Sequence, residues 1–498
     1  MSWKPAEVKF DGGLKYSADN EHGRHGRGTT TRECGWFPDP RSLIPDPRSP
    51  LTEPRNPLQS AGRCIACAED RSFRPRRRTA RVAALDNPAD AVNDPRVADE
   101  CVVRVDVAIF GGGVAGLWLL DELRRSGYSA VLLESRELGS GQTVASQGII
   151  HGGLKYTLTG LATSAARSIR EMPHIWRECL AGQREPDLSA VRLRSEHCVL
   201  WRTSDLRSRA GMIGARVGLR VRPTRLEREA WPAALAGCPG DVFRLDEQVI
   251  DPCSLLDTLL ERNRERILAF DDSVTLENKS TNDAAEGVIL KRRGDRGVTR
   301  VLPRAVVLCA GAGNASLRER LGLSESLMQR RPLHMVMLRG ELPELNGHCA
   351  DGARTRVTIT TATDSAGRIV WQVGGQVAED GVAMERGPLL AHAKSELRAV
   401  LPQVDLDRAE WSTYRVERAE ASTSSGRRPD DVFVRREENV ITAWPSKLAL
   451  APRLSEAVRA LLDPPAAGAC DSGKLCGWPT PRVADPPWET EQAWSREV

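Results

Sequence analysis

Three glycines and one glutamate have the types and the spacing of a dinucleotide-binding turn. Gly111, Gly113 and Gly116 form a Gly-x-Gly-x-x-Gly pattern, and Glu134 follows 23 residues after Gly111. In such a pattern the first glycine allows a tight turn, the second lets the backbone approach a pyrophosphate, and the third lets a helix pack against a strand. A carboxylate at the position of Glu134 can accept hydrogen bonds from ribose hydroxyls and would repel a 2′-phosphate, so FAD or NAD is predicted rather than NADP.

The elements around these residues are those of a Rossmann unit. An apolar run, residues 105–110, enters the glycine turn, and apolar residues recur at helical spacing after it. A second apolar run, residues 130–133, ends at Glu134. The N-terminus of the helix would present free N–H groups and a partial positive charge to a pyrophosphate. Strand, turn, helix, second strand and acid follow one another in the order that a bound dinucleotide requires.

A segment rich in Gly, Ser and Thr, residues 141–156, follows a short step after Glu134. Thr143, Ser146 and Gln147 can donate hydrogen bonds to phosphate or ribityl oxygens. Gly148 can let the backbone approach a flat ring. A surface loop is the alternative interpretation of this segment.

Two histidines are candidates for a catalytic base. His151 lies in the glycine-rich segment, and its imidazole could take a proton from a hydroxyl or an amine because it titrates near neutral pH. A histidine flanked by glycines could equally be a structural group. His334 is a weaker second candidate.

The composition limits the class of protein. The chain has 498 residues, enough for two or three domains, and a formal net charge of +4, which is no strong nucleic-acid signature. It contains no run of about 18 apolar residues, so no transmembrane helix is predicted. The 12 cysteines include one close pair, Cys64 and Cys67, and we expect reduced thiols and no metal site. A cytoplasmic protein without a nucleic-acid partner is therefore expected, and peripheral membrane contact is left open.

The chain divides into three parts by composition. Residues 1–100 are rich in Pro, Arg, Asp and Ser and lack apolar periodicity, which predicts a disordered extension. Translated sequence upstream of the true start, or a basic docking tail around residues 71–81, are the alternatives. Residues 101–462 have the alternating runs of an α/β fold, and residues 463–498 form a Pro-rich tail that we expect to be loose.

Several runs predict individual elements of the α/β part. Alternating apolar residues between Gln329 and Gln376 predict an antiparallel sheet that covers a substrate. The other predicted elements are a helix at 253–266, a hairpin of 288–290 with 298–302, a buried parallel strand at 305–308 with a small-residue turn at 309–313, a strand at 439–444 and a helix at 451–462.

Three segments together resemble a known family. They are the glycine turn with Glu134, the strand that ends in residues 309–313 (Cys-Ala-Gly-Ala-Gly), and residues 443–448 (Ala-Trp-Pro-Ser-Lys-Leu). Over residues 102–462 the chain resembles FAD-dependent oxidoreductases of the D-amino-acid oxidase superfamily, and it looks closest to the glycerol-3-phosphate dehydrogenase branch. That branch has a similar segment to residues 141–156, including the run His-Gly-Gly-Leu-Lys-Tyr that starts here at His151. In the family this segment wraps the FAD pyrophosphate and passes beside the flavin ring.

The resemblance implies FAD as the cofactor and a Rossmann-type FAD-binding domain with an inserted antiparallel-sheet substrate domain. The first domain would comprise residues of about 102–160, 245–320 and 435–462, and the second about 161–244 and 325–434. Ala310 and Gly311 would contact the adenosine half, while Lys447 and Leu448 would lie at the flavin pyrimidine edge. The FAD-binding residues so predicted are Gly111, Gly113, Val114, Ala115, Gly116, Glu134, Ser135, Thr143, Ser146, Gln147, Gly148, Val274, Ala310, Gly311, Lys447 and Leu448.

The resemblance also bears on the substrate. Arg415, after Tyr414, is similar to a family arginine that holds a substrate carboxylate or phosphate, a task that suits the guanidinium fork. Arg428 resembles the family's Arg-Pro turn and competes for this role, and surface ion pairs are the alternative for both. The chain lacks a recognisable full set of basic residues for a phosphate, and residues 157–160 depart from the family pattern, so the substrate stays open.

The predicted reaction is the FAD-dependent oxidation of a small anionic substrate that bears a hydroxyl or an amine. A hydride would pass to flavin N5 while a base removes a proton. An amino-acid or amine oxidase and a 2-hydroxy-acid dehydrogenase are alternatives on the same scaffold. From other classes, an FAD-dependent RNA-modifying protein that uses residues 71–81 and a flavin-binding protein without turnover remain. The electron acceptor, whether oxygen, a quinone or another carrier, is open.

Overall fold

The computed structural model describes residues 100–152, 164–203, 223–278, 288–294, 297–324, 327–351, 354–466, 475 and 477–496. All of them belong to one compact unit, residues 87–498. Apart from Glu100, the predicted disordered extension lies outside the described residues, as does the end of the glycine-rich segment after Gly152. Among the described helices, none combines the length and the apolarity that a membrane crossing requires.

Helices and runs of consecutive strands follow one another along the chain, which gives the mixed α/β fold that the sequence predicts. The strands of the described residues are β1 Glu100–Phe110, β2 Ala130–Glu134, β3 Leu193–Ser195, β4 Cys198–Trp201, β5 Thr224–Arg225, β6 Val242–Leu245, β7 Val249–Ile250, β8 Ile267–Ala269, β9 Val274–Asn278, β10 Val288–Gly294, β11 Gly297–Leu308, β12 Met328–Gly340, β13 Gly347–Asp351, β14 Arg354–Thr363, β15 Ile369–Gly374, β16 Glu410–Ala421, β17 Phe433–Glu437 and β18 Val440–Trp444. The helices are α1 Val114–Arg125, α2 Ser164–Leu180, α3 Pro252–Asn263, α4 Asn314–Arg320, α5 Gln376–Asp380, α6 Arg386–Val400, α7 Ala451–Arg459 and α8 Pro487–Thr490.

The first sheet carries the glycine turn. Its order is β17-β18-β11-β1-β2-β8, and β10 pairs with β11 while β9 pairs with β10. Strand β1 is parallel to β2 and β11, and β11 is parallel to β18. Ile109 packs into the apolar cluster that includes α1 and α3, whereas its neighbour Phe110 packs into a separate cluster. Both faces of this sheet are therefore buried, which explains the continuous apolar runs in its strands. The predicted hairpin and the predicted parallel strand are confirmed.

The second sheet has the order β16-β12-β15-β14-β13-β4-β6-β5. Strands β12, β14, β15 and β16 pair in antiparallel fashion, which confirms the sheet predicted between Gln329 and Gln376. Leu389 and Leu397 of α6 are buried against Val336 and Trp371 of this sheet. A helix thus covers one face of the sheet, and the other face is free to line a cavity.

Residues 148–150 pair with residues 248–250 in antiparallel fashion. Ile149 and Val249 form an antiparallel bridge, the Ile150 N–H donates to the Gln248 carbonyl at 2.8 Å, and the Ile250 N–H donates to the Gly148 carbonyl at 3.0 Å. Gly148 has φ of 71°, and a Cβ there would collide with the carbonyl of Ile250. The requirement for glycine at 148 is therefore set by this pairing of segments.

The C-terminal tail differs from the sequence prediction. Trp478 and Trp488 are buried, and residues 483 and 495 form bridges with Leu138 and Trp411. The expectation of a loose tail is wrong for residues 477–496, because two large aromatic side chains anchor a Pro-rich segment that has no helical or strand periodicity of its own.

Candidate functional site

One cavity of about 680 Å³ lies at the carboxyl ends of β1, β2 and β11 and extends to the second sheet. The crevice at the carboxyl ends of parallel strands is where α/β sheets bind ligands. Most of the predicted site residues line it, namely Gly111, Gly113, Val114, Ala115, Glu134, Ser135, Thr143, Ser146, Gln147, His151, Ala310, Gly311, Arg428, Lys447 and Leu448. Gly116, Gly148, Val274, His334 and Arg415 are not among the lining residues.

The glycine turn has the conformation that its sequence predicts. Gly111 has φ of 109°, and a Cβ there would lie 2.5 Å from the Cα of Ala310. A Cβ on Gly116 would collide with the carbonyl of Gly111, so this glycine permits the close packing of helix on strand. Helix α1 starts after Gly113 with no side-chain cap and no acidic residue in its first turn. Its positive end at the cavity therefore suits a pyrophosphate.

Glu134 lies beside this turn. Its Oε2 accepts a hydrogen bond from the Gly112 N–H at 2.7 Å, and its Oε1 accepts one from the Arg136 N–H at 2.8 Å. Two backbone donors hold the carboxylate in a fixed orientation at the cavity wall. A carboxylate retains further lone pairs after these two bonds, so ribose hydroxyls can still donate to it.

The turn after β11 is tied down by a residue that sequence reasoning missed. Asn314, which is fully buried, accepts a hydrogen bond from the Ala310 N–H at 2.7 Å and donates to the carbonyls of Leu308 and Ala443 at 3.2 Å each. It joins the ends of β11 and β18. A polar residue directly after a run of small residues is the signal that could have indicated this role.

Val274 does not lie in the cavity. It is the first residue of β9 and is buried in the apolar cluster of the first sheet. The prediction that Val274 binds FAD is therefore not supported by its position. The hairpin β10–β11 places β9 at the far end of the sheet, away from the glycine turn.

The segment after Glu134 uses part of its hydrogen-bonding capacity within the protein. Gln147 Nε2 donates to the carbonyls of Thr358 and Gln372 at 3.1 and 2.9 Å. Ser146 Oγ donates to the Thr143 carbonyl, and Thr143 Oγ1 accepts from the N–H of Val114 at 3.2 Å. Gln147 thus fastens the segment to the second sheet, and it offers fewer donors to a cofactor than the sequence suggested.

His151 lies in a cluster with two residues from distant parts of the chain. Its Nδ1 is 3.5 Å from Oε2 of Glu247, and the same oxygen is 3.5 Å from Nε2 of His348. All three residues line the cavity. His151 retains 40% of its side-chain surface exposed, whereas the Glu247 side chain is 6% exposed. Neither Glu247 nor His348 was predicted, and the polar neighbours of Glu247, Asp246 and Gln248, give no local signal that it is buried.

The pKa values in this cluster are shifted by burial and by the partners. Burial lowers the pKa of His151 most, and the Glu247 carboxylate, which raises it, does not fully offset this. Burial would raise the pKa of Glu247, but hydrogen bonds from His151 and His348 outweigh burial and hold that pKa well below its usual value. Glu247 is therefore ionised, and His151 is mainly neutral near pH 7.

His334 and Arg415 lie outside the cavity. His334 is buried with Nδ1 at 3.2 Å from the carbonyl of Met384, and Arg415 donates to the carbonyls of Val382 and Met384. Neither residue is among those that line the cavity, although Val416 and Glu417, which follow Arg415 directly, are. The catalytic roles predicted for His334 and Arg415 are therefore not supported by their positions.

Four arginines of the described residues line the cavity, and two of them, Arg418 and Arg428, lie near Glu420. Arg428, a predicted residue, and Arg418, an unpredicted one, both line it. Glu420 is buried beneath them, with Oε1 at 3.4 Å from Nε of Arg428 and Oε2 at 3.8 Å from Nε of Arg331. Burial and the charges of Arg428 and Arg331 lower the pKa of Arg418 to about 10, which still leaves it protonated. Arg418 shares a face of β16 with Val416, but parity alone does not indicate which face of the strand meets the cavity.

The segment after β18 closes another side of the cavity. Ser446 has φ of 55°, and its buried Oγ has no hydrogen-bond partner among the residues that the structure describes. Lys447 follows it in the lining and acts electrostatically on His151. A buried hydroxyl without a partner and a nearby cation both fit a polar ligand in this space.

Comparison with known proteins gives one family. The model of the family described as FAD dependent oxidoreductase (DAO) matches residues 106–444. A probable FAD-dependent oxidoreductase of Pseudomonas aeruginosa is 41% identical over 392 residues, which are 78% of this chain and 98% of that protein. Its crystal structure matches with a TM-score of 0.65 at 38% identity, over 78% of this chain and 98% of the other.

More distant structures share the fold. Glycine oxidase from Geobacillus kaustophilus matches with a TM-score of 0.52 at 18% identity, over 77% of this chain and 100% of its own. An FAD-bound L-α-glycerophosphate oxidase from Mycoplasma pneumoniae matches with a TM-score of 0.51 at 13% identity, over 74% and 98%. At these identities the likeness concerns the fold alone.

Proposed function

The chain belongs to the DAO family of FAD-dependent oxidoreductases, and we propose that it oxidises a small anionic substrate that carries a hydroxyl or an amine. It is an enzyme, and FAD is its cofactor. The observation that carries the proposal is the single cavity of about 680 Å³, which unites the glycine turn, the imidazole of His151 and the guanidinium groups of Arg418 and Arg428.

The residues that line the cavity have the chemistry that FAD binding requires. The N-terminus of α1, where the N-cap residue Gly113 has no side chain, would hold the pyrophosphate, and Glu134 would accept from the ribose. Lys447 and the Ser446 hydroxyl, which has no partner among the described residues, would face the polar edge of the ring system. When bound, FAD supplies the acceptor for a hydride.

His151 would act as the base. Its lowered pKa keeps the imidazole neutral near pH 7, so that it can take the O–H or N–H proton as the neighbouring C–H bond gives up its hydride. The substrate would leave as a carbonyl compound or an imine. The second sheet covers this end of the cavity and would exclude water from the reacting groups.

Arg428 and Arg418 would hold the negative charge of the substrate. Both guanidinium groups line the cavity beside the carboxylates of Glu379 and Glu417, while Arg331 and Glu420 lie next to them outside the lining. Both a carboxylate and a phosphate match the guanidinium fork. Hydroxyl compounds that resemble glycerol 3-phosphate are the preferred substrates. Amino acids, amines and 2-hydroxy acids are the alternatives on the same scaffold.

The test is anaerobic bleaching of the flavin absorbance of the FAD-loaded chain by a panel of compounds. We expect reduction by at least one compound among glycerol 3-phosphate, 2-hydroxy acids and amino acids, and none by the uncharged analogues glycerol and simple alcohols. Reoxidation by oxygen or by a soluble quinone then identifies the class of acceptor. A panel in which uncharged analogues reduce the flavin as fast as the anions would contradict the proposed anion site.

A further inference from the structure

A buried carboxylate is brought against the proposed base by the pairing of two distant segments. The bridge between Ile149 and Val249 fixes the register, so that residues 151 and 152 face residue 247. The Gly152 N–H donates to Oε1 of Glu247 at 2.7 Å, which leaves Oε2 for His151 and His348. Glu247 is 4% exposed, so its charge needs partners within the protein.

The hydrogen-bonding capacity of this cluster determines where its protons lie. An ionised carboxylate only accepts, so both imidazole nitrogens that face Oε2 must carry a hydrogen. For His151 this nitrogen is Nδ1, and for His348 it is Nε2. The remaining nitrogen of His348, Nδ1, lies 2.9 Å from Thr358 Oγ1 and accepts from that hydroxyl. The remaining nitrogen of His151 is Nε2, which is left with its lone pair.

We propose that Glu247 is the positioning residue for the base: it fixes the proton of neutral His151 on Nδ1, so that Nε2 is free to take the substrate proton, and it stabilises the resulting imidazolium. His348 holds the carboxylate in place from the other side. The inference rests on the proposed function in that His151 is the base. In the reaction the hydride leaves with its electron pair for bound FAD, the hydroxyl or amine proton goes to His151 Nε2, and that proton is later released to solvent.

The other charged and titratable groups around the cluster either disfavour protonation of His151 or do not affect it. The charge of Lys447, and that of His348 whenever it is protonated, disfavour a protonated His151, so Glu247 is the group that favours it. Burial, followed by the nearby Glu247 charge, raises the pKa of the Cys198 thiol well above its usual value, so the thiol stays neutral. Loss of the Glu247 charge should therefore make His151 a weaker base.

The test is nuclear magnetic resonance of the FAD-loaded full chain with ¹⁵N-labelled histidine. Ring ¹H–¹⁵N correlations show which nitrogen carries the proton, and His151→Ala identifies the signals of His151. We expect neutral His151 to be protonated on Nδ1, and Glu247→Gln to lower its titration midpoint by about 1 pH unit. Asp246→Asn is the matched control, because it removes the adjacent carboxylate, which pairs with Arg177 at the surface, and should leave the midpoint unchanged.

His348→Gln is a second variant, which decides the matter if Glu247→Gln does not fold. It removes a competing imidazole from Oε2, so the midpoint of His151 should rise while the Nδ1 proton stays. A proton on Nε2 of neutral His151, or a midpoint that neither variant moves, would overturn the proposal. So would stoichiometric zinc or iron that is lost in Glu247→Gln, because the cluster would then be a metal site.

The spectra require no substrate, so the two proposals can fail separately. If none of the panel reduces the wild-type flavin, the proposed function fails and the resonance result stands. If a substrate reduces the flavin but His151 is protonated on Nε2, the role of Glu247 fails and the anion site stands. With an active substrate, a purely structural role of Glu247 predicts lower FAD content with an unchanged pH midpoint of flavin reduction.

Discussion

His334 and Arg415 lie directly opposite each other on β12 and β16, and both are absent from the cavity lining. Both contact the carbonyl of Met384, Arg415 as a donor at 3.0 Å and His334 through Nδ1 at 3.2 Å. They hold the loop that starts after α5 on the outer face of the sheet. Arg415 is therefore a control for the arginines that line the cavity.

Replacement of Arg428 or Arg418 by alanine should weaken capture of an anionic substrate while FAD stays bound. Loss of a buried charge-assisted contact costs on the order of 2–5 kcal/mol. The effect should appear in the substrate concentration that half-saturates flavin reduction, measured by anaerobic stopped-flow absorbance. Arg415→Ala should behave like the wild type. A loss in Arg415→Ala as large as that in Arg428→Ala would contradict the assignment.

Gly111→Ala should abolish retention of FAD. A methyl group there would lie 2.5 Å from the Cα of Ala310, at a backbone φ of 109°, so the turn must open. Gly127→Ala is the matched control, because Gly127 also has a positive φ but its Cβ would meet no atom within 4 Å. The control should cost about 1–2 kcal/mol of stability and keep its FAD. The measurement is the ratio of flavin to protein absorbance after gel filtration, and full FAD content in Gly111→Ala would refute the prediction.

The cofactor turn could be predicted because it is local. Strand, glycine turn, helix and second strand lie within residues 105–134, and their periodicity and spacing specify the structure without distant contacts. The buried strand that ends at Leu308 was equally recognisable, since a parallel strand covered on both faces has a continuous apolar run.

The residues around the reacting groups could not be predicted in the same way. Glu247 and His348 reach His151 only because distant strands come together in the tertiary structure. Arg415 and Arg418 differ by three positions, so they face opposite sides of the same strand, and no local signal indicated which side faces the cavity. Gln147 has the donors expected of it, but two carbonyls of the second sheet already accept from them.

Trp488 should be essential for stability, although the sequence suggested a loose tail. It is buried with Met337 and Val370, and the guanidinium of Arg194 lies 5.4 Å from its ring centroid. Trp488→Ala should lower the free energy of unfolding by about 3–5 kcal/mol. Arg482→Ala, which removes the exposed ion pairs of the same tail with Glu137 and Asp485, should change it by less than about 1 kcal/mol. Urea unfolding followed by fluorescence would measure both, and equal values would show that the tail is not anchored by Trp488.

Protonation of the Asp121 carboxylate should lower the stability of the enzyme in acid. This fully buried carboxylate of α1 pairs with Arg125 at 2.7 Å and with Arg262 at 2.9 Å. Burial would raise its pKa, but the two guanidinium groups outweigh burial and lower the pKa below its usual value. A carboxyl with a lowered pKa contributes stability above its unfolded pKa of about 4 and loses that contribution as the pH falls through the lowered value.

Asp121→Asn should therefore lower the free energy of unfolding by about 2 kcal/mol at pH 7, because the partly buried guanidinium groups of Arg125 and Arg262 lose a charge-assisted contact and keep only Glu122 and Glu185 as partners. It should also reduce the fall in stability between about pH 5 and pH 3, since one of the linked protons is gone. Asp485→Asn, at an exposed ion pair with Arg482, should leave both quantities as they are in the wild type. The measurement is urea unfolding of the FAD-loaded chain across this pH range, and an unchanged acid dependence in Asp121→Asn would contradict the role assigned to this carboxylate.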